Sequence, residues 1–218
     1  MEKVLVCWSG GKDSALALQE IQKQGFEIVA LLTTLTEDYD RISMHGVRRE
    51  LLEQQAEALG IPLEKVFIKK DSSCEDYSKK MEDAMNKYTS LEVTLVCFGD
   101  LFLQDIREYR EAQLKQTRAK PIFPLWKKDT KKLAEQFIDS NFKAIITCVD
   151  SEKLGKEFVG KEFNQEFLND LPEGTDWCGE NGEFHSFVYA GPIFKKPLEF
   201  KKGEIVLRDN RFYFCDLV

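Results

Sequence analysis

The chain has 218 residues, 43 % hydrophobic and 32 % charged, with a formal net charge of −7. That is enough chain to bury a real core as one large domain, or one domain plus a small appendage, and the acidic balance argues against direct nucleic-acid binding, which needs a basic surface for counterion release. Six cysteines, none at C-x-x-C spacing, argue against structural zinc and fit a reducing, cytoplasmic setting better than a disulfide framework; no apolar stretch approaches the ~20 residues of a membrane span, and the N-terminus reads as no signal peptide.

In chain order, "KVLVCW" (3–8) predicts a first strand. It passes through Ser9-Gly10-Gly11-Lys12-Asp13-Ser14 straight into a helix that Asp13 or Ser14 would cap and Gly25 would end. "FEIVALLTT" (26–34) predicts the second strand, followed by "MHG" (44–46). The next helix carries Val47, Leu51 and Ala58 in one stripe with Leu52 and Leu59 beside it, and Gly60 and Pro62 stop it. "LEKVFIK" (63–69), "TLVCFGD" (94–100) and "FKAIITCVD" (142–150) complete five apolar runs, nearly continuous as strands covered on both faces are. Strands alternating with helices predict a doubly wound, mainly parallel five-stranded α/β sheet. Beyond about residue 150 the pattern changes to a polar segment with one helix near 161–170, the stretch "GENGEFH" (179–185), and a hairpin of "EIVLR" and "RFYFCDL" around Asp209-Asn210. The expected division is residues 1–150 and a small α+β subdomain, 151–218.

The first loop is a phosphate candidate of a particular kind. There is no early glycine and no Ser/Thr directly after Lys12, so it is not a Walker A loop, and its adjacent glycines do not fit G-x-G-x-x-G. What remains suits an anion: Gly10 and Gly11 admit close backbone approach, the next turn offers amides and a helix dipole, Ser9 and Ser14 offer hydroxyls, and Lys12 offers charge. Asp13 among these donors suggests a cap or a magnesium ligand. The plain alternative is a glycine-rich tight turn.

S-G-G-K-D-S after a first strand resembles the PP-loop of the N-type ATP pyrophosphatases, whose HUP-type (adenine nucleotide alpha hydrolase-like) fold cleaves ATP between its α and β phosphates. With "MHG", "FGDLFLQDIREYRE" (98–111), "PIFPLW" (121–126) and "GENGEFHSFVYAGPIF" (179–194), nearly the whole chain resembles the diphthine–ammonia ligase family. The resemblance implies ATP with Mg2+, adenylation of a carboxylate, and displacement of AMP by ammonia. Its named substrate is diphthine on elongation factor 2 in archaea and eukaryotes; a bacterial chain would take another carboxylate, such as a small metabolite. Where members more often read G-E-G-G-E-Y-E-T, this chain has Asn181 and Phe184-His185-Ser186, a departure that bears on the substrate.

The remaining candidates divide between roles. Ser9 to Ser14, His45, Gly99 and Asp100 are expected to hold the nucleotide, because they follow strands at the sheet's carboxyl edge. Lys12, Asp13, Glu180 and Glu183 are the expected catalytic groups, and Asp13 the metal ligand, with Asp150 a weaker magnesium candidate. Paired carboxylates at Glu180 and Glu183 suit an ammonium ion, a magnesium ion or a general base. Arg107, Arg110, Glu180, Asn181, Glu183 and His185 are placed on the substrate side. For Arg107 a charged helix face with i,i+4 pairing reads equally well, His45 equally well as a structural residue, and Trp126 as core or pocket. A homodimer is left open. A tRNA-modifying PP-loop enzyme and a non-catalytic HUP nucleotide sensor are the competing functions.

Overall fold

The computed structural model describes residues 1–115 and 117–218. Its first half is a parallel sheet. β1 (Lys3–Cys7), β2 (Glu27–Thr36), β4 (Leu63–Ile68), β5 (Leu95–Cys97) and β6 (Lys120–Ile122) lie in the order β4-β2-β1-β5-β6, all parallel. The short β3 (Arg41–Ile42) adds antiparallel to the end of β2. The order reverses between β1 and β5, the switch point of a doubly wound sheet.

The strand residues explain why both faces are covered. In β1 and just after it, Val4, Val6 and Trp8 belong to one core and Leu5 to the other. The first core takes α1 (Lys12–Lys23) and α2 (Arg49–Leu59); the second takes α3 (Cys74–Thr89) and Leu114 of α4 (Gln104–Leu114). α1 starts at Lys12 with Gly11, which has no side chain to cap with, as its cap residue; Asp13 and Ser14, expected as caps, lie inside the first turn, where Ser14 Oγ donates to the Gly11 carbonyl (2.9 Å). α2 ends as expected at Gly60, in the left-handed region at φ +71°.

The second half is an antiparallel sheet, β8-β7-β10-β9, built from β7 (Lys143–Asp150), β8 (Phe184–Ala190), β9 (Lys202–Arg208) and β10 (Phe212–Leu217). Here the structure corrects the expectation for 142–150. That run is not the fifth parallel strand but pairs antiparallel with β8 and β10, so a division at 150 cuts through this sheet. The fifth parallel strand is β6, within the "PIFPLW" connector; Pro121 is tolerated there because β6 is an edge. The misreading has a physical cause. A central antiparallel strand packed on both faces carries the same continuous apolar run as a parallel one, and β7 is buried from Ala144 to Asp150. The hairpin stands as expected, with Asp209 (φ 50°) and Asn210 (φ 51°) both left-handed. The helix read near 161–170 is α6 (Gln165–Asp170), capped by Asn164 accepting from Phe167 N–H.

α5 (Thr130–Asp139) packs between the sheets. Phe137 stacks on Phe142 (5.0 Å) and meets Phe163 edge-on (5.4 Å). Core residues of both sheets form one continuous cluster. Where the sheets meet, β8 donates Val188 N–H to the Gly10 carbonyl (2.9 Å).

Candidate functional site

The loop after β1 sits at the seam. Gly10 is left-handed (φ +77°), and a Cβ there would lie 2.8 Å from Gln55 Oε1; a Cβ on Gly11 would lie 2.7 Å from His45 Cε1. Both glycines therefore make room for protein neighbours. Lys12 N–H donates to Ser186 Oγ of β8 (3.1 Å), and Ser9 and Ser14 share a hydroxyl contact (3.2 Å). Lys12 is 3 % exposed. Its Nζ bonds both Asp13 oxygens (3.0 and 2.8 Å) and the Cys178 carbonyl, and lies over the rings of Phe184 and Phe163. Burial works against its charge, but Asp13 beside it keeps the ammonium protonated and its pKa above the ordinary value.

A cavity of about 470 Å³ opens on this loop, in the range of small-molecule sites. Its walls come from the carboxyl ends of β1, β2 and β5, the place where doubly wound sheets bind ligands. Ser9, Lys12, Asp13 and Ser14 line one side; Ser43, Met44 and His45 from the loop before α2 line another. Gly99, Asp100 and Arg110 face them from the β5 side, and Glu180, His185 and Ser186 close the site from the second sheet. A Cβ on Gly99 would meet Asp13 C and Ser14 N at 3.0 and 3.1 Å, so glycine at 99 lets the β5 loop rest on the first turn of α1.

The second loop is built by two left-handed glycines, Gly179 (φ +70°) and Gly182 (φ +83°). They turn Glu180 into the cavity, where its Oε1 accepts from Leu101 N–H (2.8 Å) and Phe102 N–H (3.4 Å). Burial raises the Glu180 pKa to about 7, partly offset by the Leu101 amide. Two imidazoles line the same cavity. His45 and His185 rings are 4.7 Å apart, and His45 Nδ1 lies 3.0 Å from the Ser186 carbonyl. A carbonyl only accepts, so Nδ1 carries the proton and Nε2 stays an acceptor. Burial holds His45 near 4, and burial with the neighbouring His45 and Lys12 holds His185 well below 6.5; both rings are neutral at physiological pH.

The structure separates residues the motifs grouped. Glu183 is 5 % exposed and does not face the cavity; its Oε1 accepts from Asp176 N–H (3.2 Å) and Asn181 Nδ2 (3.1 Å), holding the loop together. Asn181 is exposed and likewise outside the cavity. Arg107 is bonded to Glu111 (2.7 Å) and lies over Phe123 and Trp126, the helix-face alternative. Arg110 does reach the cavity, 4.0 Å from Asp100 and over the Phe98 ring. Asp150 is held in a fork by Arg211 (3.0 and 2.6 Å), which corrects its reading as a magnesium ligand. The motifs gave Ser186 no site role and passed over Trp8 and Tyr77; all three line the cavity. Ser186 was legible as the residue after His185; Tyr77 lies on a helix with no motif.

Among the described residues no group of three His, Cys, Asp or Glu side chains is placed to hold a metal. The donor set nevertheless fits a magnesium ion carried on a triphosphate, which needs only one or two protein carboxylates: Asp13 stands at the loop, with Asp100 and Glu180 on the same cavity. Among the described residues no helix is long and apolar enough to cross a membrane.

Known proteins carry the same pattern. The family model described as the diphthamide synthase N-terminal domain matches residues 2–120, and that for the diphthamide synthase C-terminal domain matches 129–216. A Schizosaccharomyces pombe protein named diphthine–ammonia ligase is 29 % identical over 94 % of this chain, a match spanning only 37 % of that longer protein. Proteins of the same name from Bos taurus and Homo sapiens are 28 % and 27 % identical over 94 % of this chain, and the match spans 85 % of each. A solved structure described as a predicted subunit of tRNA methyltransferase from Methanocaldococcus jannaschii aligns over 91 % of this chain at 20 % identity and a TM-score of 0.45. With both family models matched in order and together covering both sheets, the chain belongs to the diphthamide synthase family.

Proposed function

We propose that the chain is an ATP-dependent amide ligase that adenylates a substrate carboxylate and transfers ammonia to it. The observation that carries this reading is one cavity onto which open both the first turn of α1, with its lysine, and a half-buried carboxyl, Glu180, whose pKa burial raises to about 7. Bound ATP supplies the adenylyl group: a carboxylate oxygen bonds to the α-phosphorus as the bond to the β-phosphate breaks, and pyrophosphate leaves. Ser9, Ser14 and the amides at the start of α1 hold the phosphates, and Lys12 balances their charge. Asp13 is the residue that would bear on Mg2+. Ammonia nitrogen then bonds to the acyl carbon, AMP leaves with the electron pair of the broken bond, and Glu180 takes the proton that nitrogen loses. Arg110 and His185 face the substrate side. The acceptor is diphthine if the chain serves that pathway, as its relatives' name suggests, and otherwise another carboxylate.

The test is incubation with Mg-ATP, ammonium and candidate carboxylates, following AMP and pyrophosphate. Release that rises with ammonium is expected. Release that needs tRNA instead, or ATP binding with no AMP under any condition, would overturn the reading. Lys12→Ala is expected to lower AMP formation by about 10²–10³, the usual loss on removing a charge-stabilising group; full activity in that variant would sink the loop assignment.

A further inference from the structure

We infer that Gln55, on α2 and outside every motif, is the positioning residue that aims the nucleotide loop. This rests on the reading that ATP binds at that loop. Gln55 is wholly buried. Its Nε2 donates to the Gly10 carbonyl (3.0 Å) and the Val188 carbonyl (2.6 Å), and its Oε1 accepts from Trp8 Nε1 (3.0 Å). One amide thus joins the end of β1, the loop and the second sheet. Only an amide supplies two donors and an acceptor at once here; a carboxylate would set an acceptor against two carbonyls, and an aliphatic chain would leave all three groups short.

The consequence follows from the peptide plane. In a trans peptide the carbonyl of one residue and the N–H of the next point in opposite directions. Gly10 O is held from one side by Val188 N–H and by Gln55, so Gly11 N–H points the other way, toward the hydroxyl of Ser9, a cavity residue (3.3 Å). Gly10 reaches this orientation only at its left-handed φ, packed on the Gln55 amide itself. Gln55 therefore sets the direction of the loop N–H that holds the Ser9 hydroxyl at the cavity wall, where it meets phosphate, without itself touching the ligand.

The experiment is calorimetric binding of Mg-ATP and of adenosine to the full chain, wild type and Gln55→Met, which keeps side-chain length and removes the hydrogen bonds. The expected result is about ten-fold weaker ATP binding with adenosine binding unchanged, because only the phosphates use the Ser9 hydroxyl that this amide holds. Val93→Ala, a core change in the other cluster and off the cavity, serves as the control and should keep both affinities, so that destabilisation alone is not mistaken for aim. Trp8 emission should shift in Gln55→Met, confirming that its bond is lost. Equal loss of both ligands, or no loss of either, would overturn the inference. Failure of the wild type to bind ATP would overturn it together with the proposed function; ATP binding without AMP formation would overturn only the latter.

Discussion

At the residue scale the site depends on how burial moves protons. Glu180 is the clearest case. Its pKa is raised from 4.5 to about 7 by burial, so the folded state holds a proton that the unfolded state releases. Between about pH 4.5 and 7 the folded chain binds more protons, and this residue's contribution to stability falls as pH rises, then levels off. If Glu180 is the proton acceptor, activity runs the opposite way and climbs through about pH 7. Glu180→Gln keeps an oxygen for the Leu101 amide but does not titrate. It is expected to flatten the stability profile in that window and to abolish the ammonium-dependent limb of the rate profile. Thermal melts and AMP release across pH check both. His45 and His185, already neutral, should contribute no step near pH 7.

At the element scale, the loop between β3 and α2 brings His45 to the cavity and is tied to the last strand. Arg48 donates to both Asp216 oxygens (3.1 and 2.6 Å), and Arg41 adds a bond to Asp216 (2.8 Å) and one to the Gly46 carbonyl (2.8 Å). The Arg48 hydrogen bonds, then those from Arg41, outweigh burial and hold Asp216 down to about 2, below its usual 3.8. A depressed carboxyl contributes stability above about pH 3.8 and loses it as pH falls toward 2. Asp216→Asn should therefore remove part of the acid sensitivity and cost roughly 1 kcal/mol at neutral pH, since the arginines are largely solvated; acid titration of the melting temperature reads this. Gly46 is the sharper probe. It is left-handed (φ +68°), and a Cβ would lie 2.5 Å from Phe214 Cδ1. Gly46→Ala is expected to cost about 2 kcal/mol or more in denaturant unfolding, from strain and overlap together.

At the scale of the whole molecule, the two sheets share one hydrophobic core, with the site in their seam. The larger core cluster runs from β1, α1 and α2 through α5 into β7 and β8, and the Gly10–Val188 and Lys12–Ser186 hydrogen bonds cross the same boundary. A shared core of this kind predicts one calorimetric transition with matching calorimetric and van't Hoff enthalpies. Two separated transitions would show instead that the sheets unfold independently.

Local signals settled much of this protein. The first strand, its turn into α1, the end of α2 at Gly60 and the Asp209-Asn210 turn were all legible, because glycine, Asx residues and apolar periodicity act within a few residues. So were most groups of the loop. The partners of those groups were not. Gln55 sits between Leu51 and Ala58 on α2's buried face, and nothing local says that Trp8, Gly10 and Val188 meet there. β7 joined the second sheet because its pairing is long-range, and an apolar run carries no label for its neighbour. Glu180 and Glu183 look equivalent in "GENGEFH", yet one faces the cavity and the other holds the loop, since left-handed glycines before each redirect the chain between them. Residue chemistry is written along the chain. Which residues meet, and therefore which carboxyl faces the cavity, is decided only when the two sheets close on each other.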